Sequence, residues 1–120
     1  EQYDPDTNKW SPFPSFNVAR CEFGAAVIRN NIYIAGGFNR GALNSMELFD
    51  GAVWYILTTK LTKAREDGFA VCFQNKLVVL GGYVQDFIDV FDPTTCSVSS
   101  DLIPKMKINP RRWKLADISF

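Results

Sequence analysis

Residues 19–37, ARCEFGAAVIRNNIYIAGG, align without a gap on residues 64–82, AREDGFAVCFQNKLVVLGG, at an offset of 45. Ala19/Ala64, Arg20/Arg65, Ala25/Ala70, Asn30/Asn75, Gly36/Gly81 and Gly37/Gly82 are identical pairs, while Ile32/Leu77, Ile34/Val79 and Phe38/Tyr83 keep their character. Self-similarity at a fixed period of this length marks a repeat architecture, so the chain reads as stacked units. A second block recurs three times, EQYD at 1–4, ELFD at 47–50 and DVFD at 89–92, each an acid, a spacer, an aromatic and Asp. Its offsets of 46 and 42 differ from 45 only through loop length.

Within each unit the pattern predicts strands. GAAVI and FAVCF are small or β-branched runs, Asn30-Asn31 and Gln74-Asn75 supply turn chemistry, and IYIA and LVVL follow as continuous apolar runs that end in Gly-Gly. An apolar run without polar alternation predicts burial on both faces of the sheet. Met46, Glu47 and Leu48 favour helix individually, but the equivalent FIDVFD is aromatic and β-branched, so the repeat overrules local propensity and a third strand is expected. Asp4-Pro5 and Asp92-Pro93 predict turns, and KWSPF and VWYIL supply a fourth strand. Four short antiparallel strands per unit, with no helical period anywhere, predict the blade of an all-β propeller.

The order Arg, small apolar strand, turn, apolar-aromatic strand, Gly-Gly, loop, acid-x-aromatic-Asp-Pro, then Trp seven residues after the aromatic resembles the kelch repeat. Tyr3-Asp4-Pro5-Asp6-Thr7-Asn8-Lys9-Trp10 is close to that family's consensus, and Gly36-Gly37 and Gly81-Gly82 match its diglycine. The resemblance covers almost the whole chain, with two departures: Asp50 is followed by Gly51 with Trp54 five residues after Phe49, and Val98 stands where the third unit's Trp would be. It implies a kelch-type β-propeller segment, with residues 1–18 as outer strands of a preceding blade, 19–63 and 64–108 as repeats, and 109–120 as the start of a further repeat or a frayed end. At 45 residues per unit, the 120 residues make about 2.7 units, an incomplete ring whose cut faces are expected to make the isolated chain self-associate. Because it begins at Glu1 inside the repeated pattern, the chain reads as a fragment.

Composition narrows the chemistry. Apolar residues make up 47% and charged residues 22%, the balance of a globular domain, and no apolar stretch approaches the ~20 residues a membrane helix needs. Thirteen basic and thirteen acidic side chains cancel, so the net charge supports neither nucleic-acid nor membrane binding. The absence of His removes the usual general base, the commonest zinc ligand and the Ser-His and Cys-His nucleophile arrangements. No catalytic residue, metal site or cofactor is expected. Cys21, Cys72 and Cys96 match neither a disulfide framework nor a C-x-x-C spacing and read as reduced thiols, Cys72 buried in its strand, in keeping with a cytoplasmic setting.

Other motifs weigh toward structure. The diglycines lack any phosphate-loop pattern, and Asp4-x-Asp6-x-Asn8 is not completed as a calcium loop because Lys9 and Ser15 stand where Gly and Glu are needed. Tyr3, Trp10 and Trp54, with Gly36, Gly37, Gly81 and Gly82, are expected to act through packing and backbone conformation. The basic run Lys105, Lys107, Arg111, Arg112 and Lys114 reads as a solvated segment.

Arg20 and Arg65 stand at the head of the small-residue strand, where a charge needs a reason. One is an internal pair, Arg20 with Glu22 and Arg65 with Glu66 or Asp67. The other comes from the kelch resemblance, which places both on the face where partners dock and implies contact with an acidic peptide. Phe38, Asn39, Arg40, Tyr83 and Gln85, in the loops after the diglycines, are expected on the same rim. The resemblance implies a protein-protein interaction module, set in the substrate-recognition propeller of a BTB-containing kelch-like adaptor for a cullin ubiquitin ligase. The alternatives are an actin-binding or scaffolding kelch protein and, last, a kelch-propeller oxidase, whose imidazole ligands this chain lacks.

Overall fold

Period-two alternation assigns each side chain of an apolar strand to one of two faces, and here both faces are apolar. The computed structural model describes residues 1–82 and 88–100, which form strands and no helix. The strands are β1 (Gln2–Asp4), β2 (Lys9–Ser11), β3 (Gly24–Ile28), β4 (Asn31–Ala35), β5 (Met46–Phe49), β6 (Trp54–Ile56), β7 (Gly68–Phe73), β8 (Lys76–Gly81), β9 (Asp89–Asp92) and β10 (Ser97–Ser99). They build a β1-β2 hairpin and two open four-stranded antiparallel sheets, β3-β4-β5-β6 and β7-β8-β9-β10, as a propeller-blade reading requires. Met46 and its neighbours are a strand, paired as Ala35↔Met46 and Ile32↔Phe49, so cross-strand packing outweighs their helical propensity.

The first sheet turns Ile28, Tyr33, Ala35 and Met46 toward the second, which answers with Ala70, Leu77, Val79 and Phe91, and Leu61 from the β6–β7 connection fills the seam. The next residue along each strand faces the other way. Ile34, Phe49 and Trp54 pack on the first sheet's far face with Phe13, Phe16 and Phe23, while Val78, Leu80, Ile88 and Val90 cluster on the second sheet's far face. Inner strands β3 and β7 meet backbone to backbone, since a Cβ on Gly24 would stand 2.7 Å from the Ala70 nitrogen.

Turn residues carry the strand reversals. Arg29 and Asn30, and Gln74 and Asn75, all take positive φ, the two-residue turn whose twist suits a hairpin. At the outer hairpins Asp4 accepts a hydrogen bond from the Asp6 N–H and Asp92 one from the Thr94 N–H, both at 2.9 Å. Asp50, without its Pro, accepts from Ala52 and Val53 N–H groups and still closes the turn into β6.

Cys72 corrects an expectation. It is exposed, because it lies one position from the end of β7, where burial tapers off from Ala70 toward the turn. Tyr83, Gln85, the basic run at 105–114 and residues 109–120 lie outside the described residues.

Candidate functional site

The segment after each apolar second strand must leave the sheet and return as the third strand, and the diglycine makes that possible. Gly36 and Gly37 have φ of +68° and +105°, and Gly81 and Gly82 have +74° and +100°. This left-handed region costs glycine little. At Gly36 the fit is also steric, since a Cβ would come 2.6 Å from the Arg65 carbonyl oxygen. The Gly37 N–H donates to that same oxygen at 2.7 Å, and the Arg65 N–H donates to the Leu43 carbonyl at 2.9 Å. The loop of one sheet is thereby stitched to the segment that leads into the next.

Arg20 binds the base of this loop. Its Nη1 donates to the Gly36 carbonyl at 2.8 Å and the Ser45 carbonyl at 3.1 Å, and its Nη2 to Ser45 Oγ at 3.0 Å and Glu47 Oε2 at 2.9 Å. Both side chains of the Arg20–Glu47 ion pair are fully closed to solvent. Glu47 also accepts from the Asn17 N–H, the Asn17 amide and the Val18 N–H. Burial alone would raise the Glu47 carboxyl, but the Asn17 and Val18 backbone donors, the Asn17 amide and the Arg20 guanidinium together hold it below its ordinary 4.5.

The second unit repeats the arrangement. Arg65 Nη1 donates to the Gly81 carbonyl at 2.9 Å, and its Nη2 lies 3.4 Å from Asp89 Oδ2. Asp89 is further held by Thr62, at the position of Asn17, through its hydroxyl at 2.7 Å. Burial pulls the Arg65 guanidinium below its usual range, against the opposing pull of Asp89.

These contacts revise the reading of both arginines. Their guanidiniums are inside the sheets, donating to carbonyls and to the first acid of the third strand, so neither side chain stands on the rim as a free donor for a peptide. The ion pairs also run across the sheet to Glu47 and Asp89, instead of to the adjacent acids Glu22, Glu66 and Asp67. Sequence reasoning missed Glu47 and Asp89 as partners, although each is the first acid of the repeated acid-x-aromatic-Asp block.

Phe38, Asn39 and Arg40 are exposed at the loop. Phe38 pairs its backbone with Cys21, donating at 2.8 Å and accepting at 3.2 Å, which sets it beside the lead-in to β3. The Asp67 N–H donates to the Glu22 carbonyl at 3.1 Å, so the lead-ins to β3 and β7 lie side by side. Phe38, Glu22, Glu66 and Asp67 line one cleft of about 310 Å³ between them. The structure thus brings Phe38 together with three acidic residues that the sequence offers as one of two alternative settings for the arginines. Of the packing residues, Trp54 is 9% exposed, meets Phe16 edge to face and Phe49 at a tilt, and donates its Nε1–H to the Pro14 carbonyl at 2.9 Å. Trp10 is 66% exposed and touches Tyr3.

Among the described residues no group of three or more His, Cys, Asp or Glu is placed to hold a metal ion, and no helix is long and apolar enough to cross a membrane. Residues 19–60 match the family model of the Kelch motif, from the lead-in carrying Arg20 through β6. The chain is a kelch-repeat segment. An F-box/kelch-repeat protein of Arabidopsis thaliana is 34% identical over 85 residues, covering 68% of this chain and 22% of that protein. Kelch-like protein 24 of Rattus norvegicus is 28% identical over 106 residues, 82% of this chain and 17% of that protein. Kelch-like protein 35 of Homo sapiens is 30% identical over 87 residues, 69% of this chain and 14% of that protein. The kelch segment therefore spans less than a quarter of the length of these relatives.

Proposed function

We propose that this kelch segment is a protein-protein interaction module that meets its partner at the diglycine rim, and that the whole protein uses it for substrate recognition in a kelch-like adaptor of a cullin ubiquitin ligase. The observation that carries the first part is a division of labour at the loop: Arg20 holds its base from inside, while Phe38, Asn39 and Arg40 stand outside. An aromatic that is 39% exposed on a loop with a fixed base can make contact with little ordering cost. The adaptor role takes its support from relatives named kelch-like proteins.

An acidic partner was expected on the strength of Arg20 and Arg65, and both guanidiniums are engaged internally. The other residues lining the Phe38 cleft are Glu22, Glu66 and Asp67, which favour a partner segment that presents a lysine or arginine there. A pulldown with the full-length protein, wild type against Phe38→Ala and against Glu66→Lys with Asp67→Lys, tests the reading. Loss of the same partner in both variants, with the fold intact, supports it. Undiminished recovery in both removes the rim from recognition. Co-purification of a cullin with the wild-type protein tests the adaptor role, and co-sedimentation with filamentous actin in its place would assign a cytoskeletal one.

A further inference from the structure

At the rim opposite the diglycine loops the two sheets enclose another cleft, of about 310 Å³. The β3-β4 hairpin supplies Arg29, Asn31 and Tyr33 to one wall, and the turns that follow β7 and β9 supply Asn75, Pro93 and Thr94 to the other. Tyr33 packs on Phe91 across the seam with ring centroids 6.1 Å apart, so the cleft is part of the finished contact between the sheets. The five residues of β3 separate the two rims, with Glu22 ahead of the strand and Arg29 after it, a strand length of roughly 17 Å.

The rims differ in charge. Glu22, Glu66 and Asp67 line the Phe38 cleft, whereas no acid lines the opposite one, where Arg29 is the charged residue. Asp92, beside Pro93, is turned to its own hairpin, accepting from the Thr94 N–H at 2.9 Å. Arg20 and Arg65 commit their guanidiniums to Glu47 and Asp89, but that of Arg29 has no ion pair or hydrogen bond among the described residues. The Asn75 amide and the Thr94 hydroxyl have no hydrogen-bond partner among them either. Burial pushes the Tyr33 hydroxyl above its ordinary 10.0, with the Asn31 side chain and Arg29 acting in the opposite sense, so it stays protonated and able to donate.

The repeat does not demand this lining. Gln74 stands in the place of Arg29, Val78 in that of Tyr33 and Ala52 in that of Thr94. The Gln74-Asn75 turn still closes with two positive φ angles, and the turn at Ala52 still leads into β6. The fold is therefore satisfied without the charge and the hydroxyls that gather here.

We infer that this cleft is a second recognition site, and that it takes the carboxylate of an acidic side chain from a partner protein. One guanidinium matches one carboxylate and can hold both of its oxygens side by side. The Asn75 amide and the Thr94 and Tyr33 hydroxyls supply donors for the remaining lone pairs. A phosphate dianion would set two negative charges against a single arginine. The site stands apart from the diglycine rim and does not depend on what binds there.

Saturation-transfer NMR on the full-length protein tests this, with glutamate blocked at both ends, as N-acetyl and C-amide, for the probe and blocked glutamine for the uncharged control. The glutamate probe binds with a dissociation constant on the order of 1 mM, and the glutamine probe about tenfold more weakly. Arg29→Gln weakens glutamate binding about tenfold, as the loss of a charge-assisted pair requires. Tyr33→Phe weakens it several-fold. Lys76→Gln removes a cation of the same rim that does not line the cleft, and leaves binding as in wild type. Arg29 is exposed, and matched melting curves confirm that its variant keeps the fold. Equal binding of the two probes, unchanged binding in Arg29→Gln, or no transfer at millimolar probe overturns the proposal. So does a blocked phosphoserine that binds more tightly than the glutamate, which would make phosphate the ligand.

Discussion

Arg20 Nη2 lies 2.9 Å from Glu47 Oε2 although the two are 27 positions apart in sequence, and neither side chain reaches solvent. Removing one member of a buried pair leaves the other charged and short of a partner, which typically costs about 3 to 5 kcal/mol. Arg20→Ala is therefore expected to destabilise the kelch segment by about that amount, read from urea unfolding. A variant as stable as wild type would show that the pair carries no structural weight. Binding lost in an Arg20→Ala, Arg65→Ala double variant would report damage to the fold before it reported a lost contact.

Acid should uncouple the same pair. The folded-state value of Glu47 lies below 4.5, so the native state binds its proton less readily than the unfolded chain does. The stabilisation is complete above 4.5 and disappears as pH falls through the lower, folded value. Thermal melts of wild type and Glu47→Gln, taken from neutral pH downward, should differ most at neutral pH and converge in acid. A gap that widens in acid would contradict the sign.

Gly36 and Gly24 should respond differently to alanine. At Gly36 the substitution adds a Cβ at φ +68° and 2.6 Å from the Arg65 carbonyl, so strain and collision combine, with an expected cost of about 1 to 3 kcal/mol. At Gly24 only the collision with the Phe69–Ala70 backbone remains, and it acts between sheets. Gly24→Ala should lower the cooperativity of unfolding, read as a smaller denaturant slope, as the sheets part from one another. An unchanged slope would place the two sheets in one cooperative unit even after the insult.

Phe38→Ala removes a ring that no core cluster contains. Its effect on stability should stay within about 0.5 kcal/mol, while recovery of a rim-binding partner drops. Matched melting curves beside a pulldown make the comparison, and a loss of stability like that of Arg20→Ala would return Phe38 to the core.

The strands are legible in the sequence because repetition corrects local ambiguity: Met46-Glu47-Leu48 alone suggests a helix, but its counterpart at 88–90 is β-branched. The continuous apolar run IYIA also discloses two-sided burial, which Ile34 and Tyr33 satisfy on opposite faces. The site is less legible. Arg20 reads as a surface donor because its nearest acid, Glu22, is a sequence neighbour, whereas its partner becomes adjacent only when β4 and β5 pair. A signal was nevertheless present, since one arginine and one acid recur per unit at the same relative places. The acidic character of the Phe38 cleft was hidden by a different cause: Glu22, Glu66 and Asp67 come from two lead-ins that only sheet packing sets side by side.

The Arg20 guanidinium touches both roots of one loop, the Gly36 carbonyl where it leaves β4 and the Ser45 carbonyl where it rejoins β5, and the Gly36 N–H closes the same gap to Ser45 at 3.0 Å. A loop fastened at its roots transmits little of its own shape to the sheet below. Leu43 and Asn44 stay bonded to the Arg65 and Leu61 N–H groups, but the tip at residues 39–42 can change in length and composition almost independently of the fold, and the spacing from Gly82 to Asp89 is indeed shorter than that from Gly37 to Glu47. The buried arginine thus makes this segment a socket, into which loops of different specificity can be exchanged while the blades stay as they are.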